Sequence, residues 1–341
     1  MSAVPSSGLS LAVIVPTLRR PDYLRSCLLA LARQRRPVDC IVVTAKEGDS
    51  ATSTLCAELS LVIPHLQLVL SSPTSNLVDQ INLAISHTTQ DVVAFTDDDS
   101  EAHEDWSEQL IRNFADTRVG GVGGRDWQAH ARNINEAEVG VIRWWGKIVG
   151  NHHVGAGPAR SVDVLKGVNM AFRGDVVRPL GVDSRLWGRG MVFHYELSLS
   201  LTVRRLGWRL LYDPAVALEH NIAPIMDGDT TGREGFDKVL YRYALHNNAL
   251  AVMEYLTLPR STAYLLWSFF IGSRGEVGLL QIVRLTAKGQ SLPVLLQKFV
   301  GNCVAKVSAI RTLLRTRSAH QVRLAKVPRP PANGKRADAA I

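Results

Sequence analysis

Three features of this 341-residue sequence predict an α/β fold: a mostly parallel mixed sheet flanked by helices, with a C-terminal helical extension. Short apolar runs alternate with helix-like segments over the first 125 residues. The fourth of these runs leads straight into the acidic triplet Asp97-Asp98-Asp99. From about Thr230 the chain reads as helical and becomes strongly basic.

The elements follow in order. Leu11–Val15 is a buried-strand candidate ended by Pro16. Asp22 can cap a helix through Gln34, with Leu24, Leu28 and Leu31 on one face. Cys40–Thr44 reads as the second strand, Asp49–Leu59 as the second helix, Leu66–Leu70 as the third strand and Ser75–His87 as the third helix. Asp91–Thr96 is the fourth strand. Such alternation implies a parallel sheet covered on both faces, in which ligands bind at the carboxyl ends of strands. Residues 126–220 break the pattern with Trp127, Trp144, Trp145, Trp187 and paired His152-His153, as a loop-rich substrate region would. Glu196–Leu206 then reads as a helix, Trp208–Tyr212 as a strand and Asp213-Pro214 as a turn. The expected division is a catalytic domain over 1–229, a helical extension over 230–325 and a disordered basic tail over 326–341.

Composition narrows the classes. The chain is long enough to bury a full core, and 46% of it is hydrophobic. Met1 to Ser10 does not read as a secretory leader, and Cys27, Cys40, Cys56 and Cys303 form no CxxC pair, so reduced thiols in the cytoplasm are expected. The net charge of +8 is uneven: from Gly272 onward there are thirteen Lys and Arg against two acids. A basic arm of this kind suits anionic lipid, nucleic acid or an acidic protein. No helix-turn-helix, zinc or RNA-recognition signature accompanies it, so nucleic acid is not expected.

The acidic triplet carries the chemistry. A nucleotide diphosphate is held and activated by a hard divalent cation, which takes oxygen ligands. Asp97 and Asp99 fall on one side if the strand persists, leaving Asp98 for ribose hydroxyls. The competing reading is an N-terminal cap for a helix at Trp106–Phe114. A cap needs one Asp, and three adjacent charges repel unless a cation sits among them.

At this point the chain resembles the family 2 glycosyltransferases with a GT-A fold, in an ordered series of segments. These are Val13-Ile-Val-Pro-Thr17 with Arg20–Arg25, Val92–Asp99 followed by Trp106, Gly167–Arg173, and Glu196–Arg205 followed by Gly207-Trp208, Tyr212-Asp-Pro214 and His220. The resemblance implies a nucleotide-sugar donor and a carbohydrate or lipid-linked acceptor, with Mn2+ or Mg2+ as cofactor. It implies that Pro16 and Thr17 line the nucleotide pocket, that Asp97 and Asp99 serve ribose-diphosphate and metal, and that His220 completes the metal site. Glu196 stands where the family has the carboxylate that deprotonates the acceptor hydroxyl for inverting displacement, with Asp183 as a fallback. Asn169 and Trp187 are acceptor-side candidates; Asn169 could equally bond buried backbone, and Trp187 could equally fill core. The family's base-reading Asp pair is replaced by Thr44-Ala45-Lys46-Glu47, so Asp49 or Asp79 is a candidate substitute. His152-His153 reads as solvated loop rather than as a metal pair.

Between Tyr264 and Arg284 the aromatics Tyr264, Trp267, Phe269 and Phe270, with Arg274, Arg284, Lys288, Lys298 and Lys306, suit peripheral attachment at an anionic membrane surface, the inner face of the cell membrane. The apolar run is about ten residues where a spanning helix needs roughly twenty. Two other functions compete. A nucleotidyltransferase would carry a glycine-rich first loop, which Pro16–Arg20 lacks, and a non-catalytic scaffold would not need Asp97, Asp99, Glu196 and His220. No GxGxxG follows the first strand, which argues against a dinucleotide-binding dehydrogenase.

Overall fold

The computed structural model describes residues 8–129, 134–223 and 236–331. Its first half is β1 (Leu11–Pro16), α1 (Pro21–Ala32), β2 (Cys40–Lys46), α2 (Ser50–Ser60), β3 (Leu66–Ser71), α3 (Leu77–Ser86), β4 (Val92–Phe95), β5 (Ser100–Ala102), α4 (Trp106–Asn113) and β6 (Val119–Trp127). The second half is β7 (Val141–Ile142), β8 (Ile148–Val149), β9 (Arg160–Val162), β10 (Met170–Arg173), α5 (Gly174–Leu180), α6 (Tyr195–Arg205), β11 (Arg209–His220), α7 (Lys238–Tyr255), α8 (Leu258–Phe270), α9 (Leu279–Thr286) and α10 (Leu292–Leu324).

Among the described residues the main sheet runs β3-β2-β1-β4-β10-β6-β11-β5, with β9 also on β11. β1 to β4 are mutually parallel, as the apolar runs require. β10 then inserts antiparallel between β4 and β6, and β11 pairs parallel with β6 but antiparallel with β5. Strand alternation divides the core. Leu11, Val13 and Val15 face one layer with Leu24, Leu28 and Leu55, while Ala12 and Ile14 face the other with Val78 and Ile81.

Helix starts follow local chemistry. Pro21 occupies the first turn of α1, so that helix begins before the expected cap Asp22. Asp49 caps α2 by accepting from the Thr52 amide, and Asn76 with Asp79 forms a reciprocal capping box on α3. The Asp213-Pro214 turn expected from sequence is instead an irregularity within the twelve-residue strand β11, where the register on β6 shifts between Asp213 and Ala217. That bulge lets one strand reach from Arg209 to His220.

The C-terminal helices share the sheet's core. Ala249, Leu250 and Val252 of α7, Tyr264 of α8 and Ala309 of α10 join the same buried cluster as Phe95 and Phe172. The expected boundary at 229/230 lies outside the described residues. The expected tail also needs correction at its start: Val327 is buried and the Pro328 carbonyl accepts from Trp208 Nε1 at 3.0 Å. Residues 332–341 of that tail lie outside the described residues.

β6 was not expected as a strand, because its glycines lower the propensity. They are there for close approach. A Cβ on Gly124 would lie 1.7 Å from the Val216 carbonyl oxygen, a backbone atom that cannot swing away. Gly124→Ala is therefore expected to destabilise the protein by about 3 kcal/mol, the upper end of overpacking costs, read as a lower urea midpoint. An unchanged midpoint would show that β6 and β11 can separate freely.

Candidate active site

The strand expected to carry the triplet stops at Phe95. A turn places the acids instead: the Ser100 amide and hydroxyl both donate to the Asp97 carbonyl, at 3.2 and 2.8 Å. Asp98 turns inward and is fully buried. It accepts from the Thr17 hydroxyl at 2.6 Å and from Arg20 Nε at 3.1 Å, with Arg20 Nη2 2.5 Å from its other oxygen. Asp98 and Thr17, both expected at the nucleotide, therefore spend their polar atoms on each other and on Arg20. Pro16, at the end of β1, is only half-buried beside them.

Asp97 and Asp99 converge on His220. One ligand atom from each of the three lies within 4.8 Å of the others. The cause is the sheet: the last residue of β11, His220, registers against Ser100 of β5. His220 Nε2 stands 3.4 Å from Asp99 Oδ1, and Nδ1 stands 3.7 Å from Asp126 Oδ2. The second Asp99 oxygen accepts from the Ala223 amide at 2.8 Å, but Oδ1 is buried with no hydrogen-bond partner. A buried carboxylate oxygen left bare is costly. Two carboxylates and an imidazole suit Mn2+ or Mg2+, and Asp99 Oδ1, with the His220 imidazole 3.4 Å away but no hydrogen bond, is the oxygen such an ion would take.

The local field favours positive charge. Burial opposes the His220 charge, but Asp126 and Asp99 outweigh it and raise the imidazole to about 9. Burial also works against ionised Asp126, yet His220, Lys166 and Gln128 hold it down at about 2. Burial and the neighbouring Asp99 raise Asp97 to about 6. Arg20 Nη1, 3.6 Å from Asp99, adds a fixed cation from α1's approach.

Glu196 sits in the first turn of α6, whose cap residue His194 adopts a left-handed backbone at φ 64°. It lines a cavity of about 450 Å3 with Lys166, His152, Leu165, Tyr241 and Trp267. Burial lifts its carboxyl to about 7, and Asp97 adds to the rise. Lys166 lines the glutamate cavity and pairs with Asp126, which faces His220, so Lys166 and Asp126 link that cavity to the acidic cluster.

Several expected residues lie elsewhere. Asn169, an acceptor candidate, is fully buried. It accepts from Trp106 Nε1 at 2.9 Å and donates to the Arg125 and Val216 carbonyls at 3.0 and 2.9 Å, so nothing remains for an acceptor. Trp187 is 37% exposed, but one face of its indole stacks on His246 at 3.7 Å. Asp183, the fallback base, is tied to Arg185 at 2.6 Å. Asp49 accepts from Thr52 and the Arg19 amide while lining a hollow at the ends of β1 to β3, and Asp79 is held in its capping box. His152 is not solvated: it is buried, bonded to the Val164 carbonyl at 2.9 Å, and held near 4 by burial. Arg20, Asp126 and Lys166 were not singled out. No local pattern marks Asp126 or Lys166, because only the sheet order brings 126, 166 and 220 together.

Asn169→Ala should leave three partners unmatched and cost about 2–4 kcal/mol. The expected outcome is a lower melting temperature with unchanged acceptor KM. A raised KM at full stability would restore the acceptor role.

Residues 12–136 match the family model described as glycosyl transferase family 2. A curated relative, glycosyltransferase AglE of Haloferax volcanii, is 23% identical over 115 residues, which span 33% of this chain and 38% of that protein. The mannosyltransferase PcManGT of Pyrobaculum calidifontis, solved with GDP-Man and Mn2+, is similar with a TM-score of 0.56 and 16% identity, over 94% of this chain and 86% of that one. TarS 1–349 of S. aureus, solved with UDP-GlcNAc, has a TM-score of 0.55 and 13% identity, over 92% of each chain. The sequence match over 12–136 is thus to glycosyl transferase family 2, and the fold shared along almost the whole chain is the GT-A fold.

Proposed function

We propose that this protein transfers a sugar from a nucleotide-diphosphate-sugar to an acceptor hydroxyl with inversion, using a divalent metal. The observation that carries the reading is the convergence of Asp97, Asp99 and His220, linked through Asp126 and Lys166 to a cavity that Glu196 lines. Asp97, Asp99 and His220 would hold Mn2+ or Mg2+, which when bound neutralises charge on the leaving diphosphate. The similar mannosyltransferase was solved with Mn2+ and a nucleotide-sugar, which supports this choice.

The chain's own groups divide the remaining work. Glu196 takes the proton from the acceptor hydroxyl. The acceptor oxygen forms its bond to the anomeric carbon as the bond to the diphosphate oxygen breaks, and the nucleoside diphosphate leaves with that electron pair. A carboxyl raised to about 7 suits this task, because it is a stronger base than an ordinary Glu and is still ionised at neutral pH in useful proportion. Arg20, paired with buried Asp98, keeps the triplet's turn fixed and adds positive charge beside Asp99. Leu18, Arg19, Lys46, Glu47, Asp49 and Pro73 line a further hollow of about 160 Å3 at the ends of β1 to β3, where a nucleobase fits. No described helix is long and apolar enough to cross a membrane, so the expected cytoplasmic enzyme would meet a membrane peripherally.

Two outcomes test the assignment. Because Glu196 acts as a base only when ionised, kcat/KM should rise with pH and level off above about 7. Glu196→Gln should lower turnover by about 10^2–10^4-fold, remove that inflection and leave donor affinity unchanged. Donor release kinetics across pH 5–9 read both, and a product of retained anomeric configuration would refute direct displacement. Asp99→Ala should abolish Mn2+-dependent binding of a nucleoside diphosphate in a calorimetric titration; normal binding would remove Asp99 from the metal site.

A further inference from the structure

The last three helices are apolar on the side that faces away from the core. Inward, α8 presents Tyr264 and Ser268, α9 presents Gln281 and Leu285, and α10 presents Leu295 and Ala305, all buried. Outward, Leu266, Phe269 and Phe270 of α8 and Leu279, Leu280 and Val283 of α9 are each at least 40% exposed. The exposed face continues along α10 through Leu292, Leu296, Val300, Val304 and Val307, a spacing that keeps them on one stripe. Contiguous apolar surface of this extent marks a contact site.

Charge selects the occupant. Arg274 in the α8–α9 turn, Arg284 and Lys288 at the end of α9, and Arg311 and Arg315 beyond the α10 stripe are exposed. From residue 258 to 331 the sequence holds one acid, Glu276, and it is buried against Ser268 and Lys306. A second copy of the chain would set like charges face to face. Nucleic acid would leave the apolar stripe uncovered. An anionic lipid surface satisfies both features, and the helices would lie on it rather than span it. Two residues expected to take part do not: Tyr264 bonds Asn248 in the core, and Lys306 is buried.

The same hairpin borders the Glu196 cavity, which is lined by Trp267, Ser273, Gly275 and Glu276. We propose that the α8–α9 hairpin and the α10 stripe rest on an anionic bilayer and that the acceptor is a membrane amphiphile, whose polar head enters this cavity from the lipid surface. The acceptor half rests on the reading of Glu196 as the base.

The full-length chain would be floated with vesicles of phosphatidylglycerol and phosphatidylcholine, and with phosphatidylcholine alone. Wild type is expected to float with the anionic vesicles at low salt and to be released as salt rises. The triple variant Phe269→Asp, Phe270→Asp, Val283→Asp changes exposed side chains only, and should bind at least tenfold more weakly with an unchanged melting temperature and unchanged Mn2+-dependent nucleotide binding. Brominated phosphatidylglycerol should quench a tryptophan signal that Trp267→Phe removes. Absence of vesicle binding by wild type, or undiminished binding by the folded triple variant, overturns the surface. So does a wild-type dimer that the triple variant makes monomeric. Vesicle binding without Trp267 quenching overturns the membrane-borne acceptor. Loss of nucleotide binding by wild type would count against the transferase reading alone, since flotation needs no chemistry.

Discussion

The arrangement depends on one strand pairing, the antiparallel contact of β11 with β5 that sets His220 against Ser100. β5 is only three residues long and follows the acidic turn directly. Whatever pairs with it is delivered to Asp99, and the Asn221 amide extends the pairing by donating to the Asp99 carbonyl at 2.8 Å. The chain from Arg209 must be kept in one strand across the Asp213-Pro214 irregularity for this to happen. Gly124, which admits the Val216 carbonyl, and Asn169, which bonds it from behind, serve that need. A metal site is thus proposed where two halves of a sheet, remote in sequence, are closed by backbone hydrogen bonds.

Electrostatics explains why four carboxylates can crowd there. Asp98 is paired with Arg20, which also reaches Asp99, and Asp126 with Lys166. Breaking either pair would leave a buried charge without a partner, which costs more than the pair itself contributes. What remains unbalanced is Asp97, Asp99 and the imidazole between them. In isolation the pocket favours an imidazolium; a divalent ion competes for the same field and must displace that proton to gain the nitrogen.

The legible part of the sequence was the part whose chemistry is local. Strands β1, β2 and β4 are buried on both faces and read as apolar runs, while β3 is a partly exposed edge strand, and the caps Asp49 and Asn76 mark their helices. Asp97, Asp99, Glu196 and His220 could be named because their segments resemble a family, and the fold brings the first two to the fourth. Asp126 and Lys166 could not, since neither has a neighbour in sequence that hints at the other. β6 was obscured because it gives up side chains for close packing against Trp208 and Val216. Asn169 stood open between acceptor and backbone in the sequence, because a polar residue in a recognisable segment can serve either; the fold bonds it to Trp106 and to the Arg125 and Val216 carbonyls.

The central claim, that a late imidazole joins the acidic turn in gripping the metal, is open to direct spectroscopy. Electron spin-echo modulation of Mn2+ bound with a nucleoside diphosphate detects nitrogen in the metal's coordination shell. The account predicts nitrogen modulation in the wild-type protein that is absent in His220→Gln. Bound Mn2+ without nitrogen modulation, or modulation that survives His220→Gln, would contradict it.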